Sequence, residues 1–499
     1  MSEKNCLRIR LLLNASAPRR WHIELADRLR RQGHSVDIAA EPGPTAPPGL
    51  QLLMQLEQTV YGLPPQHATA TAPAPPLQVC FHASPELIID LTSAQPEEGA
   101  SRRLKPFYDS QASEAAAVEA LLGRRAPRID LRLYEPGQGS PRLIATADPA
   151  LENRDLFTPG FDAVVACVAS LITGAVKKLA TQGEIVTIEP PAASNAPPAS
   201  AGMFALTTLA HKVANRLTRL AVHREHFRVG WRRLKGGDAI ADTLAWPAGS
   251  YQYLPDDAKR YFADPFIFTH EGRSFIFCEE YPYAAGKGVL TAFELLANGE
   301  VGPPRPVMEQ AWHLSYPQVF ARDGEIWMIP ETCAARRIEL YRATGFPDSW
   351  VREAVLIDDI RAADATLIEH EGRFWLFATV AEDSLSDWDA LCLFYADALH
   401  GPWTAHPANP VLIDASAARP AGAMFTRNGE LWRPAQDCSR GYGGGLALCS
   451  VDRLDEEDFR QTVHARLTPP LTWRAHGAHT LNRAGNIEVI DVVGSRWRR

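Results

Sequence analysis

Hydrophobic and polar positions change their period part-way along this chain. From residue 263 onward the apolar residues fall into short runs, paired around a glycine, and the pair recurs five times. The units read ADPFIFTHEGRSFIFCEE from Ala263, SYPQVFARDGEIWMIPET from Ser315, ADATLIEHEGRFWLFAT from Ala363, PAGAMFTRNGELWRPAQD from Pro420 and HGAHTLNRAGNIEVIDV from His476. Their turn glycines are Gly272, Gly324, Gly372, Gly429 and Gly485, at spacings of 52, 48, 57 and 56. Strand, glycine turn, strand, repeated about every 50 residues, predicts an all-β propeller of five blades.

The first part of the chain has another rhythm. LRIRLLL predicts a strand, PRRWHIELADRLRRQG a helix ending at Gly33, and HSVDIAA a second strand. A strand–helix–strand opening predicts an α/β domain with a parallel sheet. PELIIDLTS (85–93) adds a strand, DAVVACVASLITGAVKKLATQG (162–183) a helix, and EIVTIEPP a last short strand. EPPAASNAPPASAG (189–202) has no periodicity and reads as a linker. Residues 203–227 predict a basic amphipathic helix that packs against one of the two domains, a membrane surface being the other use of such a helix. RVGWRRL then enters the propeller as a lone strand that completes the last blade and covers its edge. The expected organisation is therefore 1–188 α/β, 189–226 linker and helix, and 227–499 propeller.

Composition narrows the function. The chain has 499 residues, too many for one core, and a net charge of −8, which argues against a phosphate backbone as partner. No signal peptide is evident, and no apolar run reaches the ~18 residues of a membrane span. The expected setting is cytoplasmic, with no transmembrane segment and no nucleic acid. Eight scattered cysteines without a CxxC read as reduced core residues. Neither GxGxxG nor GxxxxGK[ST] occurs, so no cofactor is expected. His223 and His226 in HREH are too little for a metal site, and no metal is expected. GYGGGLAL (441–448) reads as a propeller loop beside the ligand site.

The repeat also locates candidate chemistry. Eight positions before the turn glycines stand Asp264, Tyr316, Asp364, Ala421 and Gly477, at the starts of the innermost strands. Each hairpin returns its second strand to the same mouth of the channel, bringing Glu279 and Glu280, Glu331, and Gln436 with Asp437. Neighbouring strand residues face opposite ways, so one of Glu279 and Glu280 faces the axis. Arg419, His476 and His479 flank the fourth and fifth starts. Asp264, Asp364, Glu331 and Glu280 are the candidate catalytic residues. Tyr316, Arg419, Gln436, Asp437 and His479 are the candidate sugar contacts. Carboxylates gathered with tyrosine, histidine and arginine suit glycosidic chemistry, which needs one carboxyl neutral and one ionised. The structural alternative is that aspartates at strand starts cap turns.

Two resemblances sharpen this. ADPFIF at Ala263, DATLIEHEGRFWLFAT at Asp364 and LFYADALHGPWTAHPANPV (393–411) resemble the five-bladed propellers of glycoside hydrolase family 43 and their furanosidase relatives. The resemblance implies that Asp264 is the base and Asp364 a pKa-tuning aspartate. The family's acid glutamate falls in ASAARPAGAMF, where this chain has Arg419 and Pro420, so Glu331 or Glu280 would have to substitute. SYPQVF, IPET, DATLIE, RPAQDCSRGYGGGLAL and GAHTLN are similar to the propeller domain at the N-terminus of plant glucosamine inositolphosphorylceramide transferases and of many bacterial proteins. The plant proteins carry a separate transferase domain, and none is expected here. The N-terminal domain resembles a degenerate formyltransferase without an HPS loop, Asn14 being its only partial match, and formyl transfer is expected to be lost. The expected function is binding of a glycan or glycoconjugate on the propeller axis, with hydrolysis or transfer of a glycosyl unit. The alternative is a non-catalytic glycan-binding propeller that works beside a separate glycosyltransferase.

Overall fold

Strands of four to seven residues build the first sheet. The computed structural model describes residues 6–16, 18–43, 49–72, 84–95, 100–181, 187 and 200–498. The chain divides into two compact units, 1–214 with 383–385, and 215–382 with 386–499. In the first, strands β1 (Arg8–Asn14), β2 (Ser35–Glu41), β3 (Leu87–Asp90), β4 (Arg102–Tyr108), β5 (Ile129–Tyr134) and β6 (Arg142–Ala147) lie in the order β2-β1-β3-β4-β5-β6. The first four of that order are parallel to one another, but β5 pairs antiparallel with β4, and β6 antiparallel with β5. The sheet is thus mixed, not wholly parallel as the opening strand–helix–strand suggested. β4 to β6 escaped the pattern because β4 carries a lysine and a proline in mid-strand. Lys105 is fully buried there, tied to Asp90 Oδ1 at 3.1 Å and donating to the Thr92 carbonyl at 2.7 Å. The strand expected from EIVTIEPP and most of the expected linker lie outside the described residues.

Helices α1 (Arg20–Arg31), α2 (Leu50–Tyr61), α3 (Glu114–Leu122) and α4 (Phe157–Ala180) belong to this unit. α4 is long and apolar enough to cross a membrane by length and composition. Here Phe157, Phe161, Val164, Cys167 and Val168 are all buried, as in a core helix. Glu57 of α2 caps it, accepting from Phe157 N and Thr158 N at 2.7 Å each.

Helix α5 (Ala201–Ala221) ends six residues before the expected 227. His223 to Phe227 belong instead to β7 (Val222–Arg233), which pairs along its whole length with Ile487–Trp497. Ladder hydrogen bonds there override the helical spacing of the side chains. β7 and β8 (Gln252–Tyr253) are the outer strands of the fifth blade, whose inner strands are Leu481–Ala484 and Ile487–Trp497. The ring is therefore closed by joining both ends of the propeller segment in one blade.

The other four blades run outward from Arg260–His270, Ser315–Arg322, Ala362–His370 and Phe425–Arg427. Trp327, Ile329, Leu340 and Leu376 belong to one of the cores between blades; Trp432, Leu446, Leu448 and Val492 belong to another. Each of the first four inner hairpins turns on two residues with positive φ: Glu271-Gly272, Asp323-Gly324, Glu371-Gly372 and Asn428-Gly429. These are mirror-image turns that match strand twist, and the second position is the glycine on which the repeat aligns. On the same register the fifth hairpin turns one residue later, with Gly485 in the first position.

Candidate functional site

The inner strands are not regular where they approach the axis. Asp264, Tyr316 and Asp364 have φ of 50°, 46° and 53°, the left-handed region that non-glycine residues avoid. In the second and third blades the inner pairing slips around them, between Ser315 and Gln318 and between Ala363 and Thr366. In the first blade it slips between Phe277 and Glu279, opposite Asp264. A bulge re-aims the side chain it carries. The same costly backbone at three equivalent positions marks a site that the surrounding sheet holds in place.

Asp364 is the hub. Its Oδ2 accepts from Arg419 Nε at 2.6 Å and from Gln436 Nε2 at 2.7 Å. Arg419 also donates to the Asp387 carbonyl at 3.2 Å, lies 3.7 Å from Glu331 Oε2 and sits 5.1 Å from the centre of the Tyr442 ring. Glu331 Oε2 accepts from the Asp364 backbone N at 3.2 Å. Burial opposes the charge of Arg419, but Asp364, Tyr442, Asp387 and Glu331 outweigh it and hold the guanidinium firmly protonated.

Asp264 faces the fifth blade. Its Oδ1 accepts from Thr480 Oγ1 at 2.9 Å and lies 3.5 Å from His479 Nδ1. His479 Nδ1 is 2.6 Å from Asp491 Oδ2, and Asp491 also accepts from the backbone N of Asp264, His479 and Thr480. Burial disfavours the imidazolium, yet Asp491 and Asp264 overcome it and lift His479 to about 9. Asp491 moves the other way: burial would raise it, but His479 and the backbone donors hold it below its ordinary value. Burial raises Asp264 to about 6, helped by Asp364 and Asp491 and opposed by His479. Donor atoms of Asp264, His479 and Asp491 lie within 4.8 Å of one another. That spacing would suit a cation, but His479 Nδ1 is already engaged by Asp491 and its charge would repel one.

Two glutamates complete the group. Burial pushes Glu331 well above the usual carboxylate range, with Asp364 adding to the rise. Glu279 is raised in the same way, by burial first and then by Asp264 and Glu331. Its Oε1 has no hydrogen-bond partner among the described residues; His313 Nε2 stands off at 3.5 Å. Gly288 makes room for it, since a Cβ there would come within 2.6 Å of that oxygen.

The structure therefore brings together Asp264, Asp364, Glu331, Arg419, Gln436 and His479. It places Glu280 elsewhere: that side chain pairs with Arg260 and accepts from Thr291 Oγ1 at 2.6 Å, within its own blade. Asp437 serves its own loop, accepting from Ser439, and lies 3.6 Å from Arg466. Tyr316 is fully buried; its hydroxyl accepts from Gly422 N at 2.6 Å and meets Thr366 Oγ1 at 2.8 Å. His226, of the HREH pair, bonds Tyr283 and Asp256. Of the neighbours Glu279 and Glu280, left open by the repeat, it is Glu279 that joins the group, and Tyr442 and Asp491 were not among the candidate contacts. Glu279 and Asp491 do lie about fifteen residues after strand starts, and Tyr442 sits in the glycine-rich loop GYGGG.

With this geometry in hand, similarity to known proteins can be stated. Residues 253–497 match the family described as glucosamine inositolphosphorylceramide transferase 1, N-terminal. Glucosamine inositolphosphorylceramide transferase 1 of Oryza sativa subsp. japonica is 34% identical over 235 residues, covering 45% of this chain and 32% of that protein. The Arabidopsis thaliana protein of the same name is 31% identical over 242 residues, covering 46% and 30%. The chain thus spans about a third of the length of these relatives. Among solved structures, a family 117 glycoside hydrolase from Zobellia galactanivorans covers 54% of this chain and 90% of its own, at 12% identity and a TM-score of 0.35. The catalytic domain of a Coprinopsis cinerea GH62 α-L-arabinofuranosidase covers 54% and 97%, at 12% identity and a TM-score of 0.36.

Proposed function

We propose that the propeller axis is a glycosyl site, which takes a sugar unit of a glycan or glycoconjugate and transfers it to water or to an acceptor hydroxyl. The observation that carries this reading is the split among its carboxyls. Burial pushes Glu331 and Glu279 well above the usual carboxylate range, toward the protonated form, while Asp264, at about 6, is mostly ionised near neutral pH. A neutral carboxyl beside an ionised one is what cleavage of a glycosidic bond requires. In this reading Glu331 gives its proton to the leaving oxygen as the bond to the anomeric carbon breaks. Asp264 takes a proton from the attacking hydroxyl as the new bond forms. Arg419 and Gln436 hold Asp364, and Tyr442 offers a ring face to the sugar. The relatives' name, glucosamine inositolphosphorylceramide transferase, supports a glycoconjugate as the substrate class.

A second reading has its own observation. Arg419 stands where the resemblance to family 43 puts an acid glutamate, and its bond to Asp364 ties that carboxylate to a cation. This favours a propeller that binds a glycan without turnover, beside a separate transferase. One experiment separates the two. Glycan binding and released or transferred sugar are measured in parallel for the wild type and Asp264→Asn. Turnover in the wild type, lost in the variant with binding retained, supports catalysis. Equal binding by both with no product from either supports the second reading. A wild type that binds no glycan and forms no product would overturn both.

A further inference from the structure

Helix α5 buries little of itself. Only Phe204 and Thr208 are buried along it. Arg124 holds that side, donating to Thr207 Oγ1 and Thr208 Oγ1 at 2.9 Å each and lying over the Phe204 ring. The opposite side carries Met203, Leu206, Ala210, Val213, Leu217 and Leu220, spaced alternately three and four apart. Five of these are large hydrophobics and all five are exposed, Leu206 and Leu217 at 64% and Leu220 at 75%. Leu209 widens the stripe. α2 lies alongside, with Gly49 next to Ala201 and the Lys212 amine 3.3 Å from the Tyr61 ring centre. It adds a second exposed row, Leu52, Leu56 and Val60. A soluble surface rarely lines up this many large exposed hydrophobics along one side of a helix, so the face is built to be covered.

Charge says by what. α5 carries Lys212, Arg216 and Arg219 and no acidic residue, in a chain whose net charge is −8. Three-and-four spacing would also suit a helical seam with a second copy. A second copy would bring the same cations and no carboxylates, leaving that seam without ionic complement. An anionic lipid surface supplies both the apolar phase and the opposite charge. Long basic side chains beside a leucine stripe can lay their stems on the apolar edge and reach the headgroups. We infer that α5, with the exposed row of α2, is a membrane-surface anchor that docks this protein in plane on a bilayer containing anionic phospholipid.

The full chain is tested by sedimentation with vesicles of phosphatidylcholine alone and with vesicles that also contain phosphatidylserine. Preferential binding to the second, falling as salt shortens the Debye length from about 10 Å to about 3 Å, is expected. Leu206→Asp with Leu217→Asp should abolish it while leaving thermal unfolding unchanged, because both side chains are exposed. Arg216→Glu with Arg219→Glu should weaken it roughly tenfold or more. No binding to the serine-containing vesicles would overturn the inference. So would binding that both double variants retain, or light scattering that shows a wild-type dimer which Leu217→Asp converts to monomer without vesicle binding by either.

Discussion

Arg419 Nε lies 2.6 Å from Asp364 Oδ2, and both side chains are almost wholly buried. The pair joins the third blade to the loop that leads into the fourth, and Gln436 shares the same oxygen. A buried charge without its partner is far more costly than the pair is valuable. Arg419→Met is therefore expected to destabilise the propeller by about 3–5 kcal/mol. Asp364→Asn together with Arg419→Met should recover a good part of that loss, since no bare charge remains. Urea unfolding of the wild type, both singles and the double gives the coupling. A double variant as unstable as the sum of the singles would show that the pair is not the cause.

His479 gives the structure a pH signature. Its value rises from 6.5 to about 9, so the folded chain keeps a proton that the unfolded chain releases. Stability from this group is complete below pH 6.5 and is lost as pH rises through about 9. The displacement corresponds to at most about 3 kcal/mol. Asp264 is also raised, to about 6, and its contribution fades on the acid side of that window, between its unfolded value and about 6. Unfolding free energies measured upward from pH 6.5 should thus fall in the wild type. In His479→Gln, stability should be lower at neutral pH and the slope shallower, with the raised carboxyls Glu279 and Glu331 supplying what remains. An equal slope in both would remove His479 as its source.

Glu279 tests the same physics from the other sign. Its buried oxygen finds no hydrogen bond among the described residues, and burial pushes the carboxyl well above the usual carboxylate range. Glu279→Gln keeps the shape and removes the option of ionising. The change should cost less than about 1 kcal/mol at neutral pH, within the range of volume-conserving swaps. At alkaline pH the variant should become the more stable protein, because a carboxyl raised on folding loses its contribution as pH climbs through its folded value. A variant less stable than wild type throughout would mean that Glu279 serves the fold as an anion.

The hairpin turns were legible because their chemistry is local. A glycine with positive φ follows Glu271, Asp323, Glu371 and Asn428, and counting back eight positions reaches Asp264, Tyr316 and Asp364 in their left-handed bulges. What the count could not give was which way neighbours point. The slip between Phe277 and Glu279 resets the alternation, so Glu279 turns to the axis and Glu280 to Arg260. In the fifth blade the turn comes one residue late. The axial pair there is His479 with Asp491, while Gly477 bridges Val493 and has no side chain to offer. Tyr316 shows a different limit. Its position follows the repeat, but its hydroxyl is engaged by the backbone of another blade, a contact across 106 residues that no local pattern encodes. The antiparallel edge of the first sheet was hidden for a related reason: Lys105 is tolerated in β4 only because Asp90 meets it from β3.

A local test of the hairpin reading is available at Glu371. It sits in the first turn position with φ of 52° and its side chain is 83% exposed, so it contributes little besides its backbone. Asparagine accepts the left-handed region more readily, and Asn-Gly is the preferred pair for such a turn. Glu371→Asn should stabilise the propeller by roughly 0.5 kcal/mol, read as a higher midpoint in thermal unfolding. A lower midpoint would mean that the glutamate has a role that its backbone does not account for.

The role of Glu331 is decided by the leaving group. If it protonates the departing oxygen, its removal matters in proportion to how badly that oxygen needs a proton. Glu331→Gln keeps the acceptor for Asp364 N and the contact with Arg419, so folding should be little affected. Turnover of a glycoconjugate with an ordinary sugar or alcohol leaving group should fall by roughly 10²–10⁴-fold. Turnover of an activated aryl glycoside, whose phenolate leaves unaided, should fall much less. The alkaline limb of the pH–rate profile, set by loss of the proton from Glu331, should disappear in the variant. Equal losses on both substrates, with that limb unchanged, would assign the proton to Glu279 or to another group and leave Glu331 as a positioning residue for Asp364 and Arg419.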